Sequence, residues 1–244
     1  MRRAAKVGPL FVVVATYLLG WSSLLAIWAF VFVGPFRVLD LSMGRYTALA
    51  WDALLSVIFF VQHSGMVRRP FRRWLTKLAP SPYHGAVYSM TSGVALLIVV
   101  VLWQDAGYTV ATAQGVVRYA LRGVFLLSMA GMMWGIVALR SFDTLGLNPL
   151  RDHLRGTRTP GAPFTIRGPY RWVRHPLYLF CITAIWACPD LTLDRLLFNV
   201  LWSVWIVAGT VWEERDLAAD FGDAYRDYQR KVPMLVPNRF RPGA

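Results

Sequence analysis

Acidic residues are scarce in this sequence: Asp and Glu number 13, against 26 Lys and Arg, among 244 residues. Charged residues make up only 16% of the chain, hydrophobic residues make up 56%, and the mean hydropathy is +0.44. About a quarter of an average globular sequence is charged. The composition therefore excludes an ordinary soluble domain.

Cysteine is scarcer still. Cys181 and Cys188 lie seven apart in one apolar run, and thiols at that spacing on a helix are too far apart to bond, so we expect packing residues. The sequence has no P-loop, no GxGxxG and no nucleophilic triad, which excludes the common soluble nucleotide sites. Its four histidines show no ligand spacing such as HxxxH, so no metal site is predicted.

The sequence does contain apolar blocks of roughly twenty residues, the length that spans the hydrocarbon core of a bilayer. They predict an all-α, polytopic membrane helical bundle of about six spans, the last two forming a hairpin. The fifth block is the weak one, because twelve residues rise only about 18 Å. It is either a short tilted span that continues to Leu193 or half of a re-entrant hairpin. The predicted spans are residues 10–33, 46–67, 86–103, 116–139, 177–188 and 195–212.

The basic residues support this arrangement. Six spans place both termini and the 68–77 and 140–175 connections on one side, which by the positive-inside rule is cytoplasmic. All 26 Lys and Arg lie on that side except Arg37, Arg45, Arg118, Arg122 and Arg195. This placement explains the net charge of +13 without nucleic acid, and anionic membrane lipids are the expected counter-charge. We divide the chain into helices one to four (1–140) and a cofactor-binding connection, hairpin and C-terminal helix (141–244), within one membrane domain.

The stretch RGPYRWVRHPLY, residues 167–178, is the densest cluster of basic residues beside helix signals. Pro169 disfavours helix in the residue before it, and Pro176 suits the first turn of a following helix. A helix start offers N–H groups to an anion, and Arg171 and Arg174 can each bind a carboxylate through two nitrogens. The alternative is a membrane-surface loop anchored by arginines and aromatic residues.

Glu213 and Glu214 directly follow the last apolar block. They either mark where the helix emerges into water or belong to a site. In a site they would pair with Arg171 or Arg174, or accept hydrogen bonds from a ribose or an ammonium group. Further along, Tyr225 and Tyr228 are three apart and share a helix face, where they either lie against the membrane surface or roof a pocket.

His63, in the tripeptide QHS near the end of the second span, is a polar residue inside the membrane and so a functional candidate. A satisfied interhelical hydrogen bond is the alternative, and a haem ligand is a third possibility. Asp52 is interpreted as a helix-end or interhelical polar contact.

The segment from GPYRWVRHPLY to EERDLAADFGDAYRDYQRKVPMLVP, residues 165–237, resembles the integral-membrane methyltransferases of the isoprenylcysteine carboxyl methyltransferase group. That group shares an RHPxY element followed by an EE element across a helical hairpin. The segments FFVQHSGMVRRPFRRW and LRSFDTLGL resemble the bacterial methanethiol S-methyltransferase branch and, more distantly, the NnrU family, which includes a haem-dependent carotene isomerase.

This resemblance implies S-adenosylmethionine as cofactor, bound on the cytoplasmic side. Carried over by position, the cofactor-binding candidates are Tyr170, Arg174, His175, Tyr178, Glu213 and Glu214. The catalytic candidates are Arg174 or His175, which would stabilise a thiolate, and His63, which would accept its proton. Phe180 stands where the group often has Gly.

The implied function is a methyltransferase of the bacterial cytoplasmic membrane that acts on a small thiol such as methanethiol. An isoprenylcysteine or lipid substrate, a haem-dependent isomerase centred on His63 and a non-catalytic membrane scaffold are the alternatives.

Overall fold

The computed structural model is predominantly helical and describes residues 4–140, 142–157 and 164–238. The basic residues Arg2 and Arg3, part of the 140–175 connection and the last six residues lie outside the described ranges. The helices are α1 (Ala4–Val33), α2 (Arg45–Met66), α3 (Arg69–Leu75), α4 (His84–Leu102), α5 (Gly115–Ala138), α6 (Asn148–Arg155), α7 (Pro176–Trp186), α8 (Leu193–Phe221) and α9 (Asp223–Lys231). Short 3₁₀ turns cover Ser81–Tyr83 and Gly168–Arg171, and strands β1 (Thr109–Thr112) and β2 (Asp190–Thr192) pair antiparallel.

Five helices in the described ranges are long and apolar enough to cross a membrane. Large apolar side chains remain exposed on them, as at Phe11, Leu18 and Leu25 along one side of α1. Surfaces of this kind suit lipid rather than water. The predicted all-α polytopic membrane fold is confirmed. The five segments are Gly8–Val33, Arg45–Met66, Ser81–Leu102, Gly115–Ala138 and Leu193–Phe221.

The fifth predicted span differs from the other five. Helix α7 has only 11 residues, which rise about 16 Å and fall short of a bilayer core. It ends at Trp186 and does not continue to Leu193. The chain instead forms β2, whose Asp190 binds Arg118 at 2.5 Å, and the carbonyl of Pro189 accepts a hydrogen bond from the amide of Ala113 at 2.8 Å. This pairing with the loop before α5 closes the end of the hairpin.

The described chain forms two compact units, the first from residues 1–106 and 143–161 and the second from 107–142 and 162–244. The proposed division at residue 140 remains a prediction. In the first unit, a loop and α6 dock on α4 through a cluster of Ala86, Leu145, Leu147 and Leu150. Gly85 permits this docking, because a Cβ there would overlap the carbonyl of Gly146.

Asp52, also in the first unit, is fully buried and accepts a hydrogen bond from the backbone N–H of Gln104 at 2.9 Å. Because Gln104 lies just beyond the end of α4, this contact joins α2 to the end of a neighbouring helix. The interpretation of Asp52 as a helix-end or interhelical polar contact is confirmed.

In the second unit, α7 packs against α5 at two glycines. A Cβ at Gly131 would lie 2.6 Å from the ring of Phe180, and one at Gly135 would lie 2.7 Å from a methyl group of Leu177. These close approaches fix α7, and with it the RHPxY element at its start, against the long helix α5. Gly168 has a left-handed backbone conformation, with φ +53°, and its backbone lies directly against the indole of Trp134.

Candidate functional site

Arg174 and Glu214 join the two sequence elements across forty residues of chain. The guanidinium Nε lies 2.8 Å from Glu214 Oε1, and its Nη2 lies 2.8 Å from Oε2, so the contact is bidentate. Both side chains are about nine-tenths buried, with exposed fractions of 10% and 9%. The prediction that a glutamate pairs with Arg171 or Arg174 is therefore decided in favour of Arg174; Arg171 is exposed.

The guanidinium of Arg174 also donates hydrogen bonds to the C-terminal segment. Its Nη1 donates to the carbonyl of Gln229 at 3.0 Å and to that of Val232. The backbone N–H of Arg174 donates to the carbonyl of Pro233 at 2.9 Å, and that of His175 to Met234 at 3.1 Å. The loop before α7 and the chain after α9 are thus bound to each other through both backbone and side chain.

Glu214 accepts three further hydrogen bonds. The donors are His175 Nε2 at 2.7 Å, the Tyr225 hydroxyl at 2.8 Å and Gln229 Nε2 at 2.5 Å. A carboxylate offers about four lone-pair sites. Five donors, counting the two from Arg174, therefore occupy the carboxylate fully.

The phenol of Tyr225 acts as a hydrogen-bond donor in this cluster. Burial, together with its hydrogen bond to Glu214 and the charge of that carboxylate, raises the pKa of its phenol. The hydroxyl therefore stays protonated and donates. Tyr225 and Tyr228 are both buried, packed with Val232 against Phe164 and Ile166. Because both rings are buried, the interpretation that places the pair against the membrane surface is wrong, and the interpretation that it roofs a pocket stays a prediction.

His175 stands between the two glutamates. Its Nε2 donates to Glu214, while its Nδ1 lies 3.9 Å from Glu213 Oε2. The imidazole stacks on the ring of Tyr178, with centroids 5.6 Å apart and planes inclined by 10°. Because the Glu214 carboxylate can only accept, the proton of a neutral imidazole resides on Nε2.

Glu213 has a different environment from its neighbour. The Tyr178 hydroxyl donates to its Oε2 at 2.6 Å, and 41% of its side chain is exposed. Burial and the negative charge of Glu213 raise the pKa of Tyr170, whose carbonyl accepts a hydrogen bond from the Tyr228 hydroxyl at 2.5 Å. Glu213, Tyr178 and Tyr170 therefore form an accessible polar side of the same cluster.

Phe180 does not occupy this accessible side. Its ring lies in the notch made by Gly131 of α5.

His63 lies in the first unit. The Tyr88 hydroxyl lies 2.8 Å from its Nε2 and 3.2 Å from its Nδ1, and its ring lies 5.2 Å from that of Phe59. Since Tyr88 belongs to α4, the interhelical hydrogen bond predicted as an alternative is present. The adjacent Gln62 amide contacts Met66, Thr91 and Ser92.

The structure thus brings together Tyr170, Arg174, His175, Tyr178, Glu213 and Glu214 in the second unit, and places His63 in the first. Within the described ranges, no three His, Cys, Asp or Glu residues are grouped so as to hold a metal ion. Gln229 was not predicted from the sequence as a residue of the site. The signal was its spacing of four from Tyr225, which places both residues on one helix face.

These features define the class: a helical membrane protein with an arginine, a histidine and two glutamates assembled where two helices meet. A family model described as NnrU protein matches residues 53–234. The chain belongs to the NnrU family.

Known proteins of similar sequence carry more specific names. The chain is 33% identical to methanethiol S-methyltransferase of Pseudomonas deceptionensis, over 87% of this chain and 82% of that protein. It is 35% identical to methanethiol S-methyltransferase of Mycobacterium tuberculosis, over 78% of each. Nurim of Rattus norvegicus is 26% identical, over 77% of this chain and 73% of that protein. No solved structure matches the chain.

Arg174→Lys tests whether the buried ion pair holds the second unit together. Lysine cannot make the bidentate contact or reach the two carbonyls. We expect a loss on the order of 3 kcal/mol, seen as a fall of roughly 5–10 °C in melting temperature in detergent. The matched control is Arg171→Lys, an exposed arginine of the same loop, which should change little. Equal melting temperatures for the two variants would contradict a stabilising role for the Arg174–Glu214 ion pair.

Proposed function

We propose that this protein is an S-adenosylmethionine-dependent membrane methyltransferase that methylates a small thiol such as methanethiol. The observation that carries the proposal is the joining of the RHPxY and EE elements into one cluster with an accessible carboxylate, Glu213. The similarity to methanethiol S-methyltransferases over most of the chain supports the thiol substrate.

The accessible side of the cluster fits the polar groups of S-adenosylmethionine. Glu213 can accept hydrogen bonds from a ribose or an ammonium group, and Tyr178, whose ring stacks on that of His175, lies beside it. Helix α7 begins at Pro176, two residues before Tyr178, and helix starts favour carboxylates. The acceptor sites of Glu214 are filled, so this carboxylate holds neighbouring side chains in place and does not itself bind the ligand.

When bound, S-adenosylmethionine supplies an activated methyl group on a sulfonium. Its transfer is an in-line displacement: the substrate sulfur gains the methyl carbon as the sulfonium bond breaks, which leaves two neutral sulfides. The protein's part is to align the reactants and exclude water. The nucleophile must be a thiolate. Arg174 and His175 are the proposed contacts for that anion. The nitrogens of Arg174 are bound to Glu214 and to backbone carbonyls, and Nε2 of His175 donates to Glu214, so either residue would have to give up one of these bonds to donate to the sulfur.

Binding of S-adenosylmethionine tests the proposal directly. Calorimetry on the detergent-purified protein should give micromolar affinity, and Glu213→Gln should weaken it by roughly tenfold or more, because a hydrogen bond to a charged acceptor is lost. Asp227→Asn, a charge removal on the exposed face of α9, is the control and should bind normally.

Incubation with labelled donor and methanethiol should then yield labelled dimethyl sulfide. If a prenylcysteine or a lipid amine alone is methylated, the proposed cofactor is correct and the proposed substrate is wrong. If the folded protein binds no donor, the proposal fails, and a Soret band in that preparation would favour the haem-dependent isomerase.

His63 is proposed as the residue that accepts the proton of the thiol. His63→Gln keeps a polar side chain that can bond to Tyr88, so it separates the basic function of the imidazole from the interhelical contact. We expect turnover to fall by about 100-fold, the lower range of general-base effects, with donor affinity unchanged. Activity that persists at neutral pH in this variant would leave His63 with the interhelical role alone.

We further propose that the segment 67–78 binds anionic phospholipid of the bacterial cytoplasmic membrane. It combines exposed basic and apolar side chains at the end of α2, and no Asp or Glu occurs between Asp52 and Asp105. Basic clusters next to a membrane span bind anionic lipid, and tryptophan favours the interface. The exposed basic and large apolar residues of this segment are Val67, Arg69, Arg72, Arg73, Trp74, Lys77 and Leu78.

Phosphatidylglycerol added to the detergent-solubilised protein should therefore raise its melting temperature more than phosphatidylcholine does. The triple variant Arg72→Gln, Arg73→Gln, Lys77→Gln should lose most of that difference. Arg226→Gln with Arg230→Gln removes two exposed arginines that are paired with aspartates on α9 and should retain it. An undiminished difference in the triple variant would contradict the lipid site.

A further inference from the structure

Two adjacent carboxylates in this protein have opposite surroundings. Glu213 is partly exposed and receives a hydrogen bond from Tyr178, whereas the Glu214 side chain is 9% exposed and receives five from protein groups. Any ligand that bonded to Glu214 would have to displace one of these donors. The two glutamates therefore have different roles.

Helix α9 supplies two of the five donors. Gly222, at φ +59°, ends α8 and redirects the chain, so that α9 folds back toward Glu214. Tyr225 and Gln229 are four residues apart and face the carboxylate together, one on each oxygen. Beyond α9, the carbonyls of Pro233 and Met234 bind the backbone of Arg174 and His175.

We infer that Tyr225 and Gln229 are positioning residues for methyl transfer: they hold the Glu214 carboxylate, which in turn holds Arg174 and His175. This inference rests on the proposed function. The His175 ring is bonded to Glu214 on one edge and faces Glu213 on the other. A shift of Glu214 therefore moves the imidazole relative to Tyr178 and Glu213, the accessible side of the cluster.

Tyr225→Phe tests the inference, with Ser128→Ala as the control. Ser128 also carries a buried hydroxyl, at 4% exposure against 2% for Tyr225, and it belongs to the same unit. The Ser128 hydroxyl donates to the carbonyl of Val124 within α5, whereas the Tyr225 hydroxyl donates to Glu214. Both variants therefore lose one buried hydroxyl, and Tyr225→Phe alone removes a donor from the carboxylate.

Both variants should remain folded, with a cooperative melting transition in detergent. Tyr225→Phe should raise the KM and Kd for S-adenosylmethionine roughly tenfold, because a misplaced supporting group costs up to about 100-fold, and Ser128→Ala should raise them by less than about threefold. If wild-type protein binds the donor and the two variants weaken it equally, the inference is overturned. If wild-type protein binds no donor, the proposed function fails instead.

Gln229→Glu gives a second readout, which a purely structural residue would not produce. It places a second carboxylate beside Glu214, and two like charges at that distance favour the sharing of one proton. Near neutral pH the repulsion should weaken donor binding. As the pH falls toward about 5, the new carboxyl gains a proton, donates to Glu214 as Gln229 does, and binding should recover.

The other titratable groups around Glu214 are Arg174, His175, Tyr225 and Tyr228, and they are common to both proteins. The ratio of the Gln229→Glu affinity to the wild-type affinity at each pH therefore isolates the new carboxyl. A ratio that does not change with pH would contradict a role for Gln229 at the Glu214 carboxylate.

Discussion

The second unit depends on a buried ion pair between Arg174 and Glu214. Removal of two charges from water costs several kcal/mol for each ion, and a buried pair is tolerated only when further hydrogen bonds satisfy both partners. The structure meets that condition: His175, Tyr225 and Gln229 complete the carboxylate, and two backbone carbonyls complete the guanidinium. The buried pair therefore requires three parts of the chain at once: the start of α7, the end of α8 and the whole of α9.

This dependence explains why the C-terminal segment belongs to the site. Helix α9, residues 223–231, is short and polar, and it has too few apolar side chains to form a stable helix alone. Tyr225 and Tyr228 give α9 its buried face, and their hydroxyls bond to Glu214 and Tyr170. Packing and hydrogen bonding thus fix α9 in the position from which it completes the hydrogen bonding of the Glu214 carboxylate.

The long spans could be predicted from the sequence because an apolar block of some twenty residues has few other solutions. The RHPxY and EE elements likewise predicted a contact between a glutamate and Arg171 or Arg174, but the sequence did not decide which residues form it. The end of α7 could not be predicted, since it depends on pairing between strands some eighty residues apart at Thr112 and Asp190. The three interpretations of His63 stayed open for a similar reason: its partner, Tyr88, lies on another helix.

Helix geometry explains why a pair of glutamates, rather than one, serves this site. Neighbouring residues on an α-helix point about 100° apart, so the side chains of Glu213 and Glu214 leave the helix in different directions. One carboxylate turns inward to Arg174 and α9, and the other remains beside Tyr178 with a large part of its surface accessible. The inward glutamate fixes the position of His175, which stands between the two. Adjacent positions on one helix thereby provide both the support of the site and the group that we propose contacts the ligand.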